Sequence, residues 1–196
     1  MVESTPMRIP VPLPYDAEIE YLESTNKGSQ YIKLGEYGLG VKVVIDAKGD
    51  VKKVETQVAV GIDDSDGAYL GGVPHSKDNK WGIGKNKGMY IDSPDFLNRV
   101  VSEISFNESQ QAGTIDGRSV SSKTSLKETI WYAFGLEKVS YFIGKIYSIK
   151  FYDKKEAIIA DLIPVRLGQV GYLYDKISGS MYSNGSQTGF VLGNDK

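Results

Sequence analysis

Three carboxylates near the start of the chain have a spacing that could carry acid–base chemistry. Glu18, Glu20 and Glu23 follow the pattern E-x-E-x-x-E. Two carboxyl groups about 5–5.5 Å apart are the machinery of a retaining glycosidase, one as nucleophile and the other as general acid. The alternative is a solvent-facing row on an edge strand, with Ile19 and Tyr21 on its other face. The sequence favours this alternative because no tryptophan lies next to these acids to bind a sugar.

A second group of acids has the chemistry of a calcium site. Asp63, Asp64 and Asp66 precede Gly67 and supply the hard oxygen ligands that calcium takes. Their spacing is not that of an EF-hand loop. The alternative is a polar turn, because Asp, Ser and Gly are turn formers without any metal. Calcium is the one cofactor that the sequence suggests.

The aromatic residues are the candidates for ligand binding. Sugar rings stack on Trp and Tyr, while amide and carboxylate groups orient the hydroxyls. Several aromatics lie in or next to loop-rich segments, and Trp131 lies on the less apolar face of its strand beside small residues. Alternatively, Trp131 fills the core and the tyrosines are ordinary strand formers. The predicted ligand-binding residues are Trp81, Trp131, Tyr69, Tyr90, Asn86 and Gln57.

Composition excludes several other kinds of site. His75 is the only histidine and there is no cysteine, which excludes multi-histidine zinc chemistry and thiolate catalysis. We interpret His75 as an ordinary surface residue. The net charge of −2 over 196 residues, with no basic block, argues against nucleic-acid binding. No run of about 18 apolar residues is present, so membrane insertion by a helix is not expected, and the N-terminus does not resemble a secretory signal.

The elements that must position these residues are predicted to be short strands separated by turns. Asp116 and Gly117 form the strongest hairpin signal. Residues 84–88 are predicted to form a hairpin tip, 47–50 another hairpin turn, and 175–179 the connection of a final hairpin. The last three residues, 194–196, are expected to form a loose end.

Several strands are predicted to have one more apolar face. Alternation marks such a face on the strand with Val41, Val43 and Ile45, and on the strand with Val100, Ser102, Ile104 and Phe106. In a later strand, Ile130 and Tyr132 lie on the apolar face and Trp131 on the opposite one. In the long strand that follows, Tyr147 is predicted to share a face with Ile149. Many short strands with turns about every 8–12 residues favour two packed antiparallel sheets.

Segments at both ends of the chain, and one hairpin between them, resemble a known group of domains. The segments are Y-D-A-E-I-E-Y-L-E-S-T at 15–25, Q-Y-I at 30–32, T-I-D-G-R at 114–118, K-I-Y-S-I-K-F-Y-D at 145–153, I-P-V-R at 163–166, G-Y-L-Y-D at 171–175, S-G at 178–179 and G-F-V-L-G at 189–193. They resemble the concanavalin A-like (laminin G-like) jelly-roll domains of gut Bacteroides-type bacteria and of their phages and prophages. Related glucanases of the laminarinase kind carry E-x-D-x-x-E on a central strand, from which the sequence departs at Glu20.

The resemblance implies an all-β fold, a two-sheet antiparallel jelly-roll β-sandwich of the concanavalin A-like lectin or glucanase type. A single domain is expected over 15–193, preceded by a Pro-rich lead at 1–14. The implied function is non-catalytic recognition of a glycan or host-surface ligand, on a cell surface or a virion. The alternatives are a structural module of a homo-oligomeric or larger assembly with no sugar ligand, and a laminarinase-like glycoside hydrolase.

Overall fold

The computed structural model describes residues 12–25, 30–38, 40–49, 58–63, 69–71, 80–83, 89–92, 98–107, 112–121, 130–135, 141–186 and 188–196. Only the backbone is described at residues 63, 69–71, 80–83, 89–92, 106–107, 112 and 120–121. These residues form seventeen strands and no helix. Consequently no helix in the described part of the chain is long and apolar enough to cross a membrane.

The strands are short, as the turn signals predict. Their bounds are β1 Ala17–Glu18, β2 Leu22–Ser24, β3 Ile32–Glu36, β4 Lys42–Gly49, β5 Val60–Asp63, β6 Tyr69–Gly71, β7 Lys80–Ile83, β8 Met89–Asp92, β9 Val100–Asn107, β10 Ala112–Ile115, β11 Arg118–Ser121, β12 Ile130–Ala133, β13 Gly144–Tyr152, β14 Ile158–Leu167, β15 Val170–Asp175, β16 Met181–Tyr182 and β17 Val191–Leu192.

Two sheets make up the body of the molecule. The larger has eleven strands, with the order β11-β10-β9-β4-β13-β14-β15-β16 and with β2, β17 and β1 joined to it at β13 and β14. The smaller has the order β3-β12-β5-β6, and β7 and β8 form a separate hairpin. Every pair of these named strands is antiparallel. The predicted all-β, two-sheet antiparallel sandwich is therefore confirmed, and it fits a jelly roll.

One apolar core lies between the two sheets. It takes Val43 and Ile45 from β4 of the larger sheet and Ile32, Val60 and Trp131 from the smaller one, and all five side chains are fully buried. On β4 these residues alternate with half-exposed ones, because successive side chains of a strand point to opposite faces. Each large apolar side chain buried in this way contributes about 1.5–3 kcal/mol of transfer free energy.

The Asp116–Gly117 hairpin forms as predicted. It connects β10 to β11, and both turn residues have positive φ, 49° and 73°. Such angles match the right-handed twist of the flanking strands, and Gly and Asp tolerate them best. The Asp116 carboxylate also accepts hydrogen bonds from Ser102 Oγ at 2.8 Å and from the backbone N–H of Glu103 at 2.8 Å. The strands β15 and β16 pair as expected, and so do β7 and β8, whose predicted tip at 84–88 lies outside the described residues.

Two local predictions are wrong. Residues 47–49 do not turn but continue β4, which is paired on both sides, by β9 and by β13. The C-terminal residues are not a loose end. The N–H of Glu20 donates to the carbonyl of Asn194 at 2.9 Å, and the guanidinium of Arg166 binds the Asp195 carboxylate at 2.7 and 2.6 Å.

The strand β13 contains a bulge that reverses its side-chain pattern. Ile146 pairs with Ala47 and Ser148 pairs with Asp46, so Tyr147 has no partner in β4. A bulge adds one residue to one strand and thereby shifts the alternation of faces. As a result Ile146 and Ile149 are buried, and Tyr147 lies on the outer face instead of sharing a face with Ile149.

Candidate functional site

The three N-terminal carboxylates each contact a different side chain. Glu18 Oε1 lies 3.4 Å from Lys176 Nζ, Glu20 Oε2 accepts from Asn194 Nδ2 at 3.4 Å, and Glu23 Oε2 lies 3.7 Å from Lys145 Nζ. The acids do not share one strand, because Glu18 lies in β1, Glu23 in β2 and Glu20 between them. The expected edge strand is not formed either, since β2 is paired on both sides, by β13 and β17, and Ile19 is buried while Tyr21 is half-exposed.

Trp131 fills the core. Its side chain is fully buried, its Nε1 donates to the carbonyl of Gly38 at 3.0 Å, and its ring meets Phe151 edge-on at 5.2 Å between centroids. Tyr132, predicted on the core face, instead packs with Val58 on the opposite face of β12. The face assignment of this strand was therefore wrong, and the Trp131 ring offers no exposed area for the predicted ligand contact.

The strands that carry three of the predicted ligand-binding residues lie together at one edge of the sandwich. Tyr69 is on β6, the last strand of the smaller sheet, and β6 neighbours β7, which carries Trp81. Tyr90 is on β8, which pairs with β7 and neighbours β11, the last strand of the larger sheet. We call β6, β7, β8 and β11 the edge group. The β7–β8 hairpin in this group contacts β6, at the end of the smaller sheet, and β11, at the end of the larger sheet.

Within the edge group the β7–β8 register separates two of these positions. Trp81 pairs with Ile91 and Gly82 pairs with Tyr90. Because successive strand positions alternate between faces, positions 81 and 90 lie on opposite faces of the hairpin. A ligand that uses both would have to wrap around the hairpin or engage its end.

The structure describes little or nothing of the surroundings of the remaining predicted residues. Asp63 ends β5, and its backbone pairs with Tyr69 of the edge group. Several residues lie outside the described part of the chain, namely Gln57, Asn86, Asp64, Asp66 and His75. The calcium site and the polar ligand contacts therefore stay predictions.

A cluster that sequence reasoning missed lies on the outer face of the larger sheet. Two half-exposed tyrosines, Tyr21 and Tyr147, meet edge-on with centroids 5.6 Å apart. Arg99 lies 3.9 Å above the Tyr147 ring, and Lys145 lies 3.8 Å above the Tyr21 ring. Cations in such positions are attracted by the ring quadrupole. We call these four residues, together with three charged neighbours, the tyrosine–cation cluster. Its members are Tyr21, Tyr147, Arg99, Lys145, Lys48, Asp46 and Glu23.

Two carboxylates contact these cations in different ways. Asp46 accepts from Arg99 Nε at 2.8 Å and from Nη2 at 2.6 Å, a bidentate pair, and this hydrogen bonding raises the pKa of Arg99. Glu23 Oε2 lies 3.7 Å from Lys145 Nζ, which is beyond hydrogen-bond distance. A hydrogen bond with Tyr21 raises the pKa of Lys145, and Glu23 adds to this effect. Both cations are therefore charged at neutral pH.

Two lysines of the cluster face each other. Lys48 of β4 is directly opposite Lys145 of β13. Like charges directly opposite in a sheet are destabilising, by up to about 1 kcal/mol. Among the described residues Lys48 has no ion-pair partner. The sequence did not reveal the cluster, because its members come from four separate segments and Tyr147 reaches the outer face only through the bulge.

Comparison with known proteins shows a structural likeness. No family model matches the chain, and no curated protein sequence matches it. Among solved structures, the chain is similar to "a putative carbohydrate binding protein from Bacteroides ovatus ATCC 8483", with a TM-score of 0.55 and 8% sequence identity. The match covers 91% of this chain and 62% of that protein, so the chain spans about three-fifths of its length. At this identity the likeness concerns the fold.

Proposed function

We propose that the protein is a non-catalytic recognition module that binds carbohydrate through the edge group. The observation that carries the proposal is the convergence of the strands bearing Tyr69, Trp81 and Tyr90 between the ends of the two sheets. Aromatic residues at such a junction supply the stacking surface that sugar rings need. The fold of the Bacteroides ovatus protein and its carbohydrate-binding name support the same class of ligand.

The arrangement of the carboxylates favours recognition over hydrolysis. A glycoside hydrolase needs two carboxyl groups facing each other across a cleft, one of them with a raised pKa. Glu18, Glu20 and Glu23 are instead engaged by Lys176, Asn194 and Lys145. We also propose a concanavalin A-like jelly roll and a place on a cell surface or virion, on the strength of the resemblance of the chain ends.

Glycan-array binding of the purified protein tests this function. We expect specific hits that Trp81→Ala and Tyr90→Ala weaken by about fivefold or more, because each lost aromatic platform is worth about 1 kcal/mol or more. Tyr172→Ala is the matched control, since Tyr172 lies on β15, at the other end of the larger sheet from β11. A blank array, or equal losses in all three variants with the fold intact, would contradict the proposal.

An assembly module is the second candidate. Leu167 and Val170 face each other at the β14–β15 hairpin and are 46% and 51% exposed. Exposed apolar pairs are typical of contact surfaces when they extend into larger patches. Light scattering tests this candidate: a dimer or larger species that Leu167→Ser converts to monomer would support it, and a monomer at all concentrations would oppose it.

A further inference from the structure

We infer that the tyrosine–cation cluster is a second saccharide site, separate from the edge group, and that it takes a sugar bearing a carboxylate, such as a hexuronic acid unit. The inference rests on the proposed function only in assuming that the ligands of this protein are carbohydrates. It concerns the outer face of the larger sheet at β2, β4 and β13, with Tyr21 just before β2 and Arg99 just before β9, and the structure describes the side chains of all the members of the cluster.

The bulge in β13 is the first argument. Tyr147 is the extra residue of the bulge and is turned outward, beside Tyr21. Bulges are over-represented next to functional sites, where they re-aim one side chain. Without the bulge, alternation from the buried Ile149 and Phe151 would point Tyr147 to the core, as the sequence pattern predicts. The fold thus departs from regular pairing at the residue that completes the aromatic pair.

The opposed lysines are the second argument. Lys48 and Lys145 are neighbours in the register and carry the same charge. Lys145 makes an ion pair with Glu23 at 3.7 Å, a distance too long for a hydrogen bond, so its ammonium group can still donate to a ligand. A ligand carboxylate between the two ammonium groups would offset their repulsion and accept their hydrogen bonds, which are strong when both partners are charged.

An acidic sugar suits the cluster better than a free anion does. Arg99 is 56% exposed and holds a carboxylate, that of Asp46, by two parallel hydrogen bonds. The cluster offers a ligand two kinds of contact, the charges of the cations and the exposed parts of Tyr21 and Tyr147. A free inorganic anion would use the cations alone. A uronic acid uses both, because its ring contacts the exposed parts of the two half-exposed tyrosines while its carboxylate meets the lysines.

An array that pairs uronate-containing oligosaccharides with their carboxyl-reduced counterparts tests the inference. We expect the acidic members to bind at least about tenfold more tightly than the reduced ones, and this preference to shrink as salt is raised. Lys48→Gln combined with Lys145→Gln is expected to remove the preference. Lys150→Gln is the matched control, because Lys150 lies on the same strand and face, also makes an ion pair of 3.7 Å, with Asp161, and is not opposite another lysine but opposite Val44.

The outcomes separate this inference from the proposed function. Equal binding of acidic and reduced oligosaccharides, or equal effects of the double variant and Lys150→Gln, would overturn the inference. If Trp81→Ala then still lowered binding, the proposed function would stand without it. Tyr147→Leu gives a second check, because loss of acidic binding with an unchanged melting temperature assigns the aromatic ring to the site. Unchanged acidic binding in that variant would count against it.

Discussion

Asp175 Oδ2 accepts a hydrogen bond of 2.6 Å from Ser178 Oγ, which ties the end of β15 to the turn that leads into β16. The same carboxylate accepts from the backbone N–H groups of Asp161, Ile177 and Ser178. Asp175 is 1% exposed. This buried carboxylate therefore accepts four hydrogen bonds, one from Asp161 of β14 and three from Ile177 and Ser178 of the turn between β15 and β16.

The stability of the protein is expected to fall in acid because of Asp175. Burial by itself would raise the pKa of this carboxyl, but the four hydrogen bonds outweigh it and lower the pKa below the ordinary 3.8. A lowered folded-state pKa stabilises the protein above the unfolded value, and this contribution disappears as the pH falls through the folded one. Urea unfolding measured from pH 5 down to pH 2 should show the loss below about pH 4.

The Asp175→Asn variant is the control for that titration. It cannot ionise and should lose stability at pH 7, by about 2 kcal/mol or more, because hydrogen bonds to a charged group are weakened. Its remaining stability should vary less with pH below 4 than that of the wild type. Parallel curves for the two proteins would assign the acid sensitivity to other groups.

Replacement of Trp131 is expected to weaken the core. Trp131→Ala should lower the free energy of unfolding by about 3–5 kcal/mol, because it leaves a cavity between the sheets. Trp131→Phe should cost less, since it keeps most of the ring volume and loses the hydrogen bond to Gly38, worth about 1 kcal/mol. Denaturant unfolding of both variants checks the order. A harmless Trp131→Ala would contradict the core assignment.

Gly144→Ala is expected to destabilise the start of β13. Gly144 has a φ of 145°, which residues with a side chain rarely adopt, and a Cβ there would lie 2.8 Å from the Gly49 Cα and still closer to the Lys48 carbonyl. We expect a loss of about 2 kcal/mol or more. Gly189→Ala is the matched control, because its Cβ would meet nothing within 4 Å. Equal melting temperatures for the two variants would refute the clash.

A calcium ion bound by Asp63, Asp64 and Asp66 would stabilise the protein, whereas a polar turn would not respond to calcium. A ligand at about 100 times its dissociation constant adds about 2.7 kcal/mol to the free energy of unfolding. Thermal unfolding with calcium and with a chelator measures the shift in Tm, and Asp64→Asn combined with Asp66→Asn should abolish it. An unchanged Tm in millimolar calcium would leave the polar turn as the correct interpretation.

Features built from neighbouring residues could be predicted from the sequence. The Asp116–Gly117 hairpin follows from the positive φ that both residue types tolerate, and the alternation of β4 and β9 follows from the two-residue period of a strand. The two-sheet sandwich follows from many such strands. In each case the signal is carried by residues within about ten positions of one another.

The orientation of β12 could not be predicted, for a physical reason. Trp131 is fully buried and Tyr132 is 5% exposed, so both faces of this strand are covered. Alternation of apolar and polar residues identifies the core-facing side of a strand only when its other side is exposed to solvent. A strand that is buried on both sides has apolar residues on both, so its sequence does not show which side faces the core. The apolar character of Tyr132 was therefore no guide to which face meets the core.

Amino-acid sequence alone determined the class of structure, the Asp116–Gly117 turn and the absence of cysteine chemistry, because these depend on local conformation and composition. The packed fold decided the rest. Pairing with β13, and with β9 at Ala47, kept 47–49 in β4, pairing with 18–20 ordered the C-terminus, and the bulge turned Tyr147 outward. Each of these depends on hydrogen bonds between segments far apart in the chain, whose energies no local pattern contains.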